Sequence, residues 1–391
     1  MAATTLTLTN LIPTIYDAMD VVARERVGFI PAVSRDSNAE RAAKDQIVMS
    51  PVVGAMSAED LEVDNVASSA PNQTINNVQM TINKSRSVPF GINGEQQRGL
   101  LNAGTYATIN RDRIAQAIRT LTNEIEADIA ALHVKASRAI GTYNAVPFGT
   151  AGDLSDFANS LQVLDENGAP AQDLHIVLGS KAIASLRGKQ SVLFKVNEAG
   201  TDALLRTGAI GEVEGLMVHQ SKQVRRAVTA GTASGATTDA TGYAVGSTTI
   251  TLASAGTGEI LAGDLITFAG DSNVYVVKTG DASVAGGGTI VLQEPGLQQA
   301  IPAAATNITV TAATTRNMFF HRQAIHLVTR APAMPEEGDM ADDIELIPDP
   351  VSGLVFEFAI YRQKRQVRYE VNMAWGCEMI MPRYAGILMG A

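Results

Sequence analysis

The sequence predicts an α+β fold in which one long helix is surrounded by β-strands. Three observations lead to this class. An apolar stripe with helical spacing runs from about residue 110 to 140, short strand-like runs are spread over the chain, and residues 227–316 are rich in Gly, Ala, Ser and Thr with almost no helical period. At 391 residues and 46% apolar content, the chain is long enough for two or three domains with a real core.

The long helix, which we call the spine helix, is predicted from apolar residues that recur every three or four positions. Asn110 is the expected N-cap and Gly141 the expected stop, and the charged residues between the apolar ones, including Glu126 and Arg138, are expected to face water. The alternative is a core helix of an ordinary bundle, but no second helix of similar length is predicted. The predicted packing face comprises Ile114, Ile118, Leu121, Ile125, Ile129 and Leu132, continued by Ala136 and Ala139.

Composition argues against several classes of protein. The net charge is −10 and no basic domain is visible, which disfavours sequence-specific nucleic-acid binding. A lone cysteine, Cys377, excludes an intrachain disulfide framework and fits a reducing compartment. The N-terminus does not resemble a signal peptide, and no run of about 18 apolar residues predicts a membrane span.

The first hundred residues begin with an amphipathic helical segment and continue as a polar stretch from 31 to 95. Residues 47–49 and 78–82 are predicted to be two strands of a projecting arm with a mobile tip. An isolated hairpin is marginal in water, so the arm must lie on its own domain or on another subunit. The stretch between the strands is acidic and contains Glu59, Asp60, Glu62 and Asp64.

The segment after the spine helix has α/β character. A helix is predicted to end at Asn167-Gly168, a second to stop at Gly188, and buried strands are predicted at 175–178 and 216–219. The Gly/Ala/Ser/Thr-rich stretch is predicted to be a small β-barrel or sandwich, inserted between strands of the surrounding domain. Its strand candidates are 248–252, 265–268, 274–278, 289–292 and 307–311.

The C-terminal part is predicted to be mostly β-structure. Strands are predicted at 318–320 and 324–329, and a long run from 354 to 373 is interrupted by a basic turn at 363–366 and ended by Trp375-Gly376. The acidic residues between 336 and 345 lack the order of a calcium loop and are interpreted as a solvated loop.

A search for catalytic motifs finds none. The five histidines lack zinc-ligand spacing, and neither a nucleophile elbow nor a phosphate-binding loop is present. We therefore expect no enzyme, metal or cofactor. The basic residues near the C-terminal turn fit either phosphate or acidic arm residues of a neighbouring subunit, and the acidity of the chain favours the second. They are Arg362, Lys364, Arg365 and Arg368.

A projecting arm, a long spine helix and a terminal β-ribbon without a catalytic constellation are typical of an assembly subunit. The chain then resembles the major capsid proteins of tailed phages with the Hong Kong ninety-seven fold, and most closely the coat-protein family of the Salmonella phage P-twenty-two. The resemblance is carried by the segments 11–17 and 28–31, the spine helix, 317–324, 329–332, and Trp375-Gly376 followed by Pro382 and Ala385.

The resemblance implies a division of the chain into the parts of a capsid subunit. These are an N-terminal arm (1–40), an extended loop (41–95), a peripheral domain with the spine helix (96–145), an axial domain (146–222 and 317–350), an inserted β-barrel domain (223–316) and the peripheral β-ribbon (351–391).

It also implies partners and a location. The partners are many copies of the chain in hexamers and pentamers, a scaffolding protein, a portal, and enclosed double-stranded DNA, with no membrane. The location is the virion, and the host cytoplasm during assembly. Shells of this kind expand, so the glycines between arm and spine, Gly91, Gly94 and Gly99, are a candidate hinge.

Three other classes of protein fit the sequence less well. An encapsulin-like shell enclosing protein cargo is disfavoured by the inserted module. An α/β enzyme with a β accessory module would need a convergent polar cleft, which no motif indicates. A tail or tube protein usually has more β-structure and no helix of 30 residues.

Overall fold

The computed structural model describes residues 12–23, 27–52, 76–104, 106–190, 210–224, 228–349 and 352–391. These residues form an α+β fold, as the sequence predicts. The helices are α1 (Ile12–Ala23), α2 (Phe29–Ala32), α3 (Gly94–Asn102), α4 (Tyr106–Ala131), α5 (Ser155–Glu166) and α6 (Ser180–Lys189).

The strands fall into two large sheets and one two-stranded ribbon. The first sheet has the order β1-β15-β18-β17-β16, with β4 also paired to β18. Its strands are β1 (Ser34–Ala42), β4 (Lys84–Asn93), β15 (Ile325–Pro332), β16 (Asp343–Pro348), β17 (Val355–Gln363) and β18 (Gln366–Met379). The ribbon consists of β2 (Ile47–Val52) and β3 (Asn76–Thr81), which pair antiparallel.

The second sheet has eleven strands and includes the predicted inserted module. Its backbone order is β13-β10-β11-β5-β19-β14-β6-β8-β7, and β12 joins β11 to β9. The strands are β5 (Arg138–Ile140), β6 (Leu174–Leu178), β7 (Glu212–Val213), β8 (Leu216–Gln220), β9 (Thr249–Leu252), β10 (Leu265–Phe268), β11 (Val274–Thr279), β12 (Gly288–Leu292), β13 (Ile308–Val310), β14 (Thr315–His321) and β19 (Ala385–Gly390).

The strands from β9 to β13 form a closed barrel. The segment 237–238 closes it by isolated bridges to both sides, from Thr238 to Leu252 in β9 and from Thr237 to Asn307 just before β13. The barrel has a hydrophobic cluster of its own, centred on residues such as Ile250, Ile266 and Val277. It is also continuous with the rest of the sheet, because β11 pairs with β5.

The spine helix is α4, and at 26 residues it is about 39 Å long. All six residues of the predicted packing face are buried in the largest hydrophobic cluster, together with Ile15 and Met19 of α1 and Trp375 of β18. One face of the helix therefore packs on α1 and the other on the first sheet.

The predicted ends of the spine helix are wrong. Asn110 is a buried residue inside the helix and not its N-cap, and the α-helix stops at Ala131. A short 3₁₀ turn, Leu132–Lys135, follows, Ala136 is extended, and residues 138–140 form β5. The apolar spacing continues past the helix because Ala136 and Ala139 are also buried, and pairing of β5 with β11 and β19 overrides the local helical preference.

Glu126 and Arg138 were expected to face water, and both are buried. The Glu126 carboxylate accepts hydrogen bonds from the backbone N–H groups of Phe29 (2.8 Å), Ile30 (2.7 Å) and Gly28 (3.2 Å), and from the hydroxyl of Ser221 (2.6 Å). Burial raises the pKa of Glu126, while these four donors oppose the shift by stabilising the carboxylate. The group joins the N-terminal segment, the spine helix and the end of β8.

Gly28 belongs to this junction for a steric reason. A Cβ at this position would lie 2.7 Å from the carbonyl oxygen of Gln220, closer than real Cβ contacts come. The absence of a side chain lets the backbone of the N-terminal segment approach both β8 and the Glu126 carboxylate.

Some strands and helix ends also differ from the sequence prediction. Residues 34–42 and 84–93, inside the polar stretch, are strands of the first sheet. The helix expected to stop at Gly188 continues to Lys189. The strand expected to end at Trp375-Gly376 continues to Met379, because its last residues pair with β15.

The two sheets cross the boundaries of the expected domains in the C-terminal part of the chain. β15 and β16, placed with the axial part, belong to the first sheet beside β18 and β17. β19, placed with the peripheral ribbon, lies in the second sheet between β14 and β5.

Replacement of Glu126 by alanine is expected to lower the free energy of unfolding by about 3–5 kcal/mol, because three buried N–H groups lose their acceptor. Glu126→Gln keeps one carbonyl oxygen and should lose less. Urea denaturation followed by circular dichroism measures both.

The matched control is Glu124→Ala on the same helix. The Glu124 side chain is 39% exposed and lies 3.5 Å from Arg86, so its loss should cost less than about 1 kcal/mol. Equal losses for the two alanine variants would contradict the assigned role of Glu126.

Candidate assembly surfaces

The ribbon is rooted on the first sheet. At its base Asp45 donates its N–H to the carbonyl of Ile82 (2.8 Å), and Ile82 donates to Gln46 (3.0 Å). Met80 and Ile82 pack in a small cluster with Ala42, Val328 and Ala374. The direction in which the ribbon leaves the sheet is therefore set by packing.

Gly376 of β18 makes this root possible. A Cβ there would overlap the carbonyl oxygen of Thr81 and lie 3.1 Å from the Cα of Ile82. The end of β3 crosses directly over the backbone of β18, and any side chain at this position would push the ribbon away.

The outer face of the ribbon exposes two large apolar side chains beside the polar residues Thr81 and Gln79. Ile47 is 46% exposed and Met49 is 59% exposed, while Val48 and Met80 face the sheet. Within the described residues, β2 and β3 pair only with each other. Within the described part of the chain, both edges of the ribbon are unpaired and one face exposes apolar side chains, a combination that favours pairing with another chain.

The predicted hinge glycines lie beyond the ribbon. Gly91 is inside β4, paired with Arg368, and a Cβ there would overlap the side-chain amide of Gln366. Gly94 is the first residue of α3 and Gly99 lies within it, both with open space around them. Asn93 caps α3 through a capping box with Gln96.

The basic residues near the C-terminal turn divide into two groups. Arg362 pairs with Asp342 (3.1 Å) and Arg368 with Glu370 (2.6 Å), so two of the four cations are engaged within the chain. Lys364 and Arg365 form the exposed turn between β17 and β18. The acidic arm residues proposed as their partners, Glu59, Asp60, Glu62 and Asp64, lie outside the described residues, as does the tip predicted to be mobile.

The sequence analysis missed a pair of histidines. His175 on β6 and His219 on β8 lie on the same face of two adjacent parallel strands, with 3.1 Å between His175 Nδ1 and His219 Nε2. Burial, and then the neighbouring imidazole, lower the pKa of His175 to about 4. Burial also lowers the pKa of His219. The two histidines are 44 positions apart in the sequence, so their proximity becomes evident only once the strand register is known.

The described residues show no constellation typical of catalysis or metal binding. No group of three or more His, Cys, Asp or Glu among them is placed to hold a metal ion. Burial raises the pKa of the Cys377 thiol to about 12, so it is a poor nucleophile. Across the same residues, no helix has the length and apolar character to cross a membrane.

No protein-family model and no curated protein matches the sequence. Solved structures do resemble the chain. They include a protein of Mycobacterium phage Che8 (15% identity, TM-score 0.46, covering 88% of this chain and 85% of that one). Another comes from the capsid structure of the Cyanophage P-SCSP1u (12%, 0.48, 94% and 89%), and a third from a virus-like particle of Pyrococcus furiosus (10%, 0.44, 96% and 98%). All three TM-scores lie below 0.5.

The histidine pair predicts acid sensitivity. Unfolded His175 takes up a proton at an ordinary pKa near 6.5, whereas the folded residue does so only near pH 4. The unfolded state therefore binds more protons between these values, and stability is expected to fall as the pH falls from about 6.5 to about 4, by about 1.4 kcal/mol per unit of pKa difference at most.

Urea denaturation over a pH series measures this dependence, and His175→Gln should remove part of it. Selective ¹³C labelling of histidine gives the titration of the wild-type ring directly. A His175 signal that titrates near pH 6.5, or an unchanged pH slope in the variant, would contradict the assignment.

Proposed function

We propose that this chain is the major capsid protein of a tailed bacteriophage, which self-assembles into the icosahedral head shell around the double-stranded DNA genome. The observation that carries the proposal is the ribbon. It is rooted firmly on the first sheet, yet its outer face and both its edges have no partner in the described chain.

The ribbon by itself has little stability in water. A two-stranded sheet with exposed Ile47 and Met49 is marginal in water and prone to pair with another chain. The ribbon of one copy and the surface that receives it on the next are different patches, so the contact is head-to-tail and repeats from copy to copy. Such contacts build closed rings and shells.

The charge of the chain suits a DNA container. A net charge of −10 weakens attachment to the phosphate backbone, so packaged DNA stays free to enter and leave. The absence of a catalytic constellation among the described residues and the raised pKa of the partly buried Cys377 thiol support a structural role over an enzymatic one.

The finer assignment follows the sequence resemblance. We place the chain in the P-twenty-two-type coat family, with hexamers and pentamers, a scaffolding protein and a portal as partners, and with assembly in the host cytoplasm before incorporation in the virion. The closed barrel supports this placement, and disfavours the alternative of an encapsulin-like shell around protein cargo. The division into arm, extended loop, peripheral, axial and inserted domains is part of the same proposal.

The test is assembly of the purified chain. Sedimentation velocity and negative-stain electron microscopy should show closed particles, and particles from infected cells should contain double-stranded DNA; protein cargo instead would favour the encapsulin alternative. A chain that stays a monomer in every assembly condition would overturn the proposal.

The double variant Ile47→Asp, Met49→Asp is expected to keep its folded stability, because both side chains are exposed, and to reduce particle yield at least tenfold. Val245→Asp is the control, since Val245 is 62% exposed on the barrel and away from the ribbon. Normal particle yield in the double variant would show that the ribbon face is not an assembly contact.

We also propose that Gly91, Gly94 and Gly99 act as a hinge during shell expansion. Gly94→Pro fits the present backbone, because Asn93 is extended (φ −83°, ψ 162°), as a residue before proline requires. It removes the hydrogen bond from Gly94 N–H to Arg365 (3.1 Å) and fixes φ.

The variant is expected to form unexpanded shells that do not expand, whereas Gly94→Ala, which keeps the N–H and has open space for its methyl group, should expand. Particle diameters by electron microscopy before and after expansion measure the difference. Normal expansion of shells formed by Gly94→Pro would contradict the proposed hinge.

A further inference from the structure

One end of the first sheet carries an unusually exposed methionine. Residues 333–342 connect β15 to β16 and form a loop, which we call the acidic knob. Met340 at its apex is 93% exposed, and Glu336, Glu337 and Asp339 around it are exposed as well. A large apolar side chain displayed at the tip of a charged loop is a feature of contact surfaces.

The knob is held in place by several hydrogen bonds. The N–H of Asp342 donates to the carbonyl of Ile360 (2.8 Å), Arg362 pairs with the Asp342 carboxylate (3.1 Å), and the Tyr361 hydroxyl donates to Asp339. The N–H of Met340 itself donates to Asp339 Oδ1 (2.7 Å). Met340 is therefore presented on an ordered loop, so little conformational entropy would be lost when it docks.

A pocket of complementary character lies beside the same end of the sheet. We call it the basic pocket; its volume is about 640 Å³. Ile92 and Val367 give it an apolar floor, and Arg362 and Arg365 stand at its rim, with Glu95 as its acidic member. The hydrogen bond from Gly94 N–H to the carbonyl of Arg365 joins its two walls.

The knob of the same chain does not line this pocket. The two share Arg362 of β17, whose guanidinium pairs with Asp342 at the base of the knob and also lies at the rim of the pocket; the other lining residues lie on the β17–β18 turn, β18, β4 and α3. Knob and pocket are complementary in character: Met340 lies among the exposed carboxylates of the knob, and the pocket has an apolar floor with the exposed Arg365 at its rim.

We propose that the acidic knob of one copy docks in the basic pocket of a neighbouring copy, with Met340 as the apolar anchor. The contact joins two different patches and is head-to-tail. Head-to-tail contacts of this kind close into a ring when the rotation that relates successive copies divides a full turn. The proposal rests on the proposed shell function and names one contact by which copies meet.

The first test compares variants of the apex in the assembly assay. Met340→Glu is expected to fold with unchanged thermal stability and to reduce particle yield at least tenfold, because a carboxylate cannot replace the apolar anchor. Met340→Leu should assemble normally. Val245→Glu places the same charge on another exposed apolar residue, 62% exposed on the barrel, and should also assemble.

The second test locates the contact. Chains carrying Met340→Cys are mixed with chains carrying Gln97→Cys, whose side chain lines the pocket, and the mixture is assembled and oxidised. Disulfide-linked dimers are expected only in the mixture. Absence of this cross-link in assembled particles, or normal assembly of Met340→Glu, overturns the proposal. If wild-type chains form no particles at all, the proposed function fails, and this contact with it.

Discussion

The carboxylate of Glu126 is buried where three separate segments of the chain meet, and the packing around the spine helix depends on how its charge is satisfied. A buried carboxylate without partners would cost several kcal/mol. Four donors meet it here, and three of them are backbone N–H groups of residues 28–30, which would otherwise be unpaired at the start of α2. The N–H groups of the N-terminal segment gain an acceptor, and the Glu126 carboxylate gains donors. These hydrogen bonds fix where the segment enters the core.

The same principle recurs along the spine helix and just beyond it. Asp128 accepts a hydrogen bond from the indole N–H of Trp375 (2.9 Å) and pairs with Lys84 (2.7 Å), tying the helix to two strands of the first sheet. Arg138 pairs with Glu166 (2.6 Å) and donates to Asn273 (3.0 Å), joining α5 to the barrel. Apolar burial supplies the main stabilisation, and these directional contacts select one arrangement of the elements.

This interior contrasts with the exposed surfaces that we propose for contacts between copies. The ribbon is rooted by Met80, Ile82 and the bare backbone of Gly376, but its outer face is open. The acidic knob is held by the ion pair of Asp342 with Arg362, but the side chain of Met340 is almost fully exposed. Ordered roots beneath exposed surfaces reduce the entropy lost on association, which suits the many modest contacts of the proposed shell.

The sequence by itself determined what depends on local spacing. Three features were predictable from local spacing: the apolar stripe from Ile114 to Leu132, the buried strand at 175–178 and the strands of the barrel. Burial in each of them requires apolar residues at a spacing that can be read along the sequence. Only the tertiary structure decided the rest. Glu126 and Arg138 look like solvent-facing charges until distant partners surround them, His175 and His219 meet only through strand register, and β5 becomes a strand only because β11 and β19 flank it. These features arise from contacts between residues far apart in the chain, and local sequence carries no record of which distant group will supply the missing hydrogen bond.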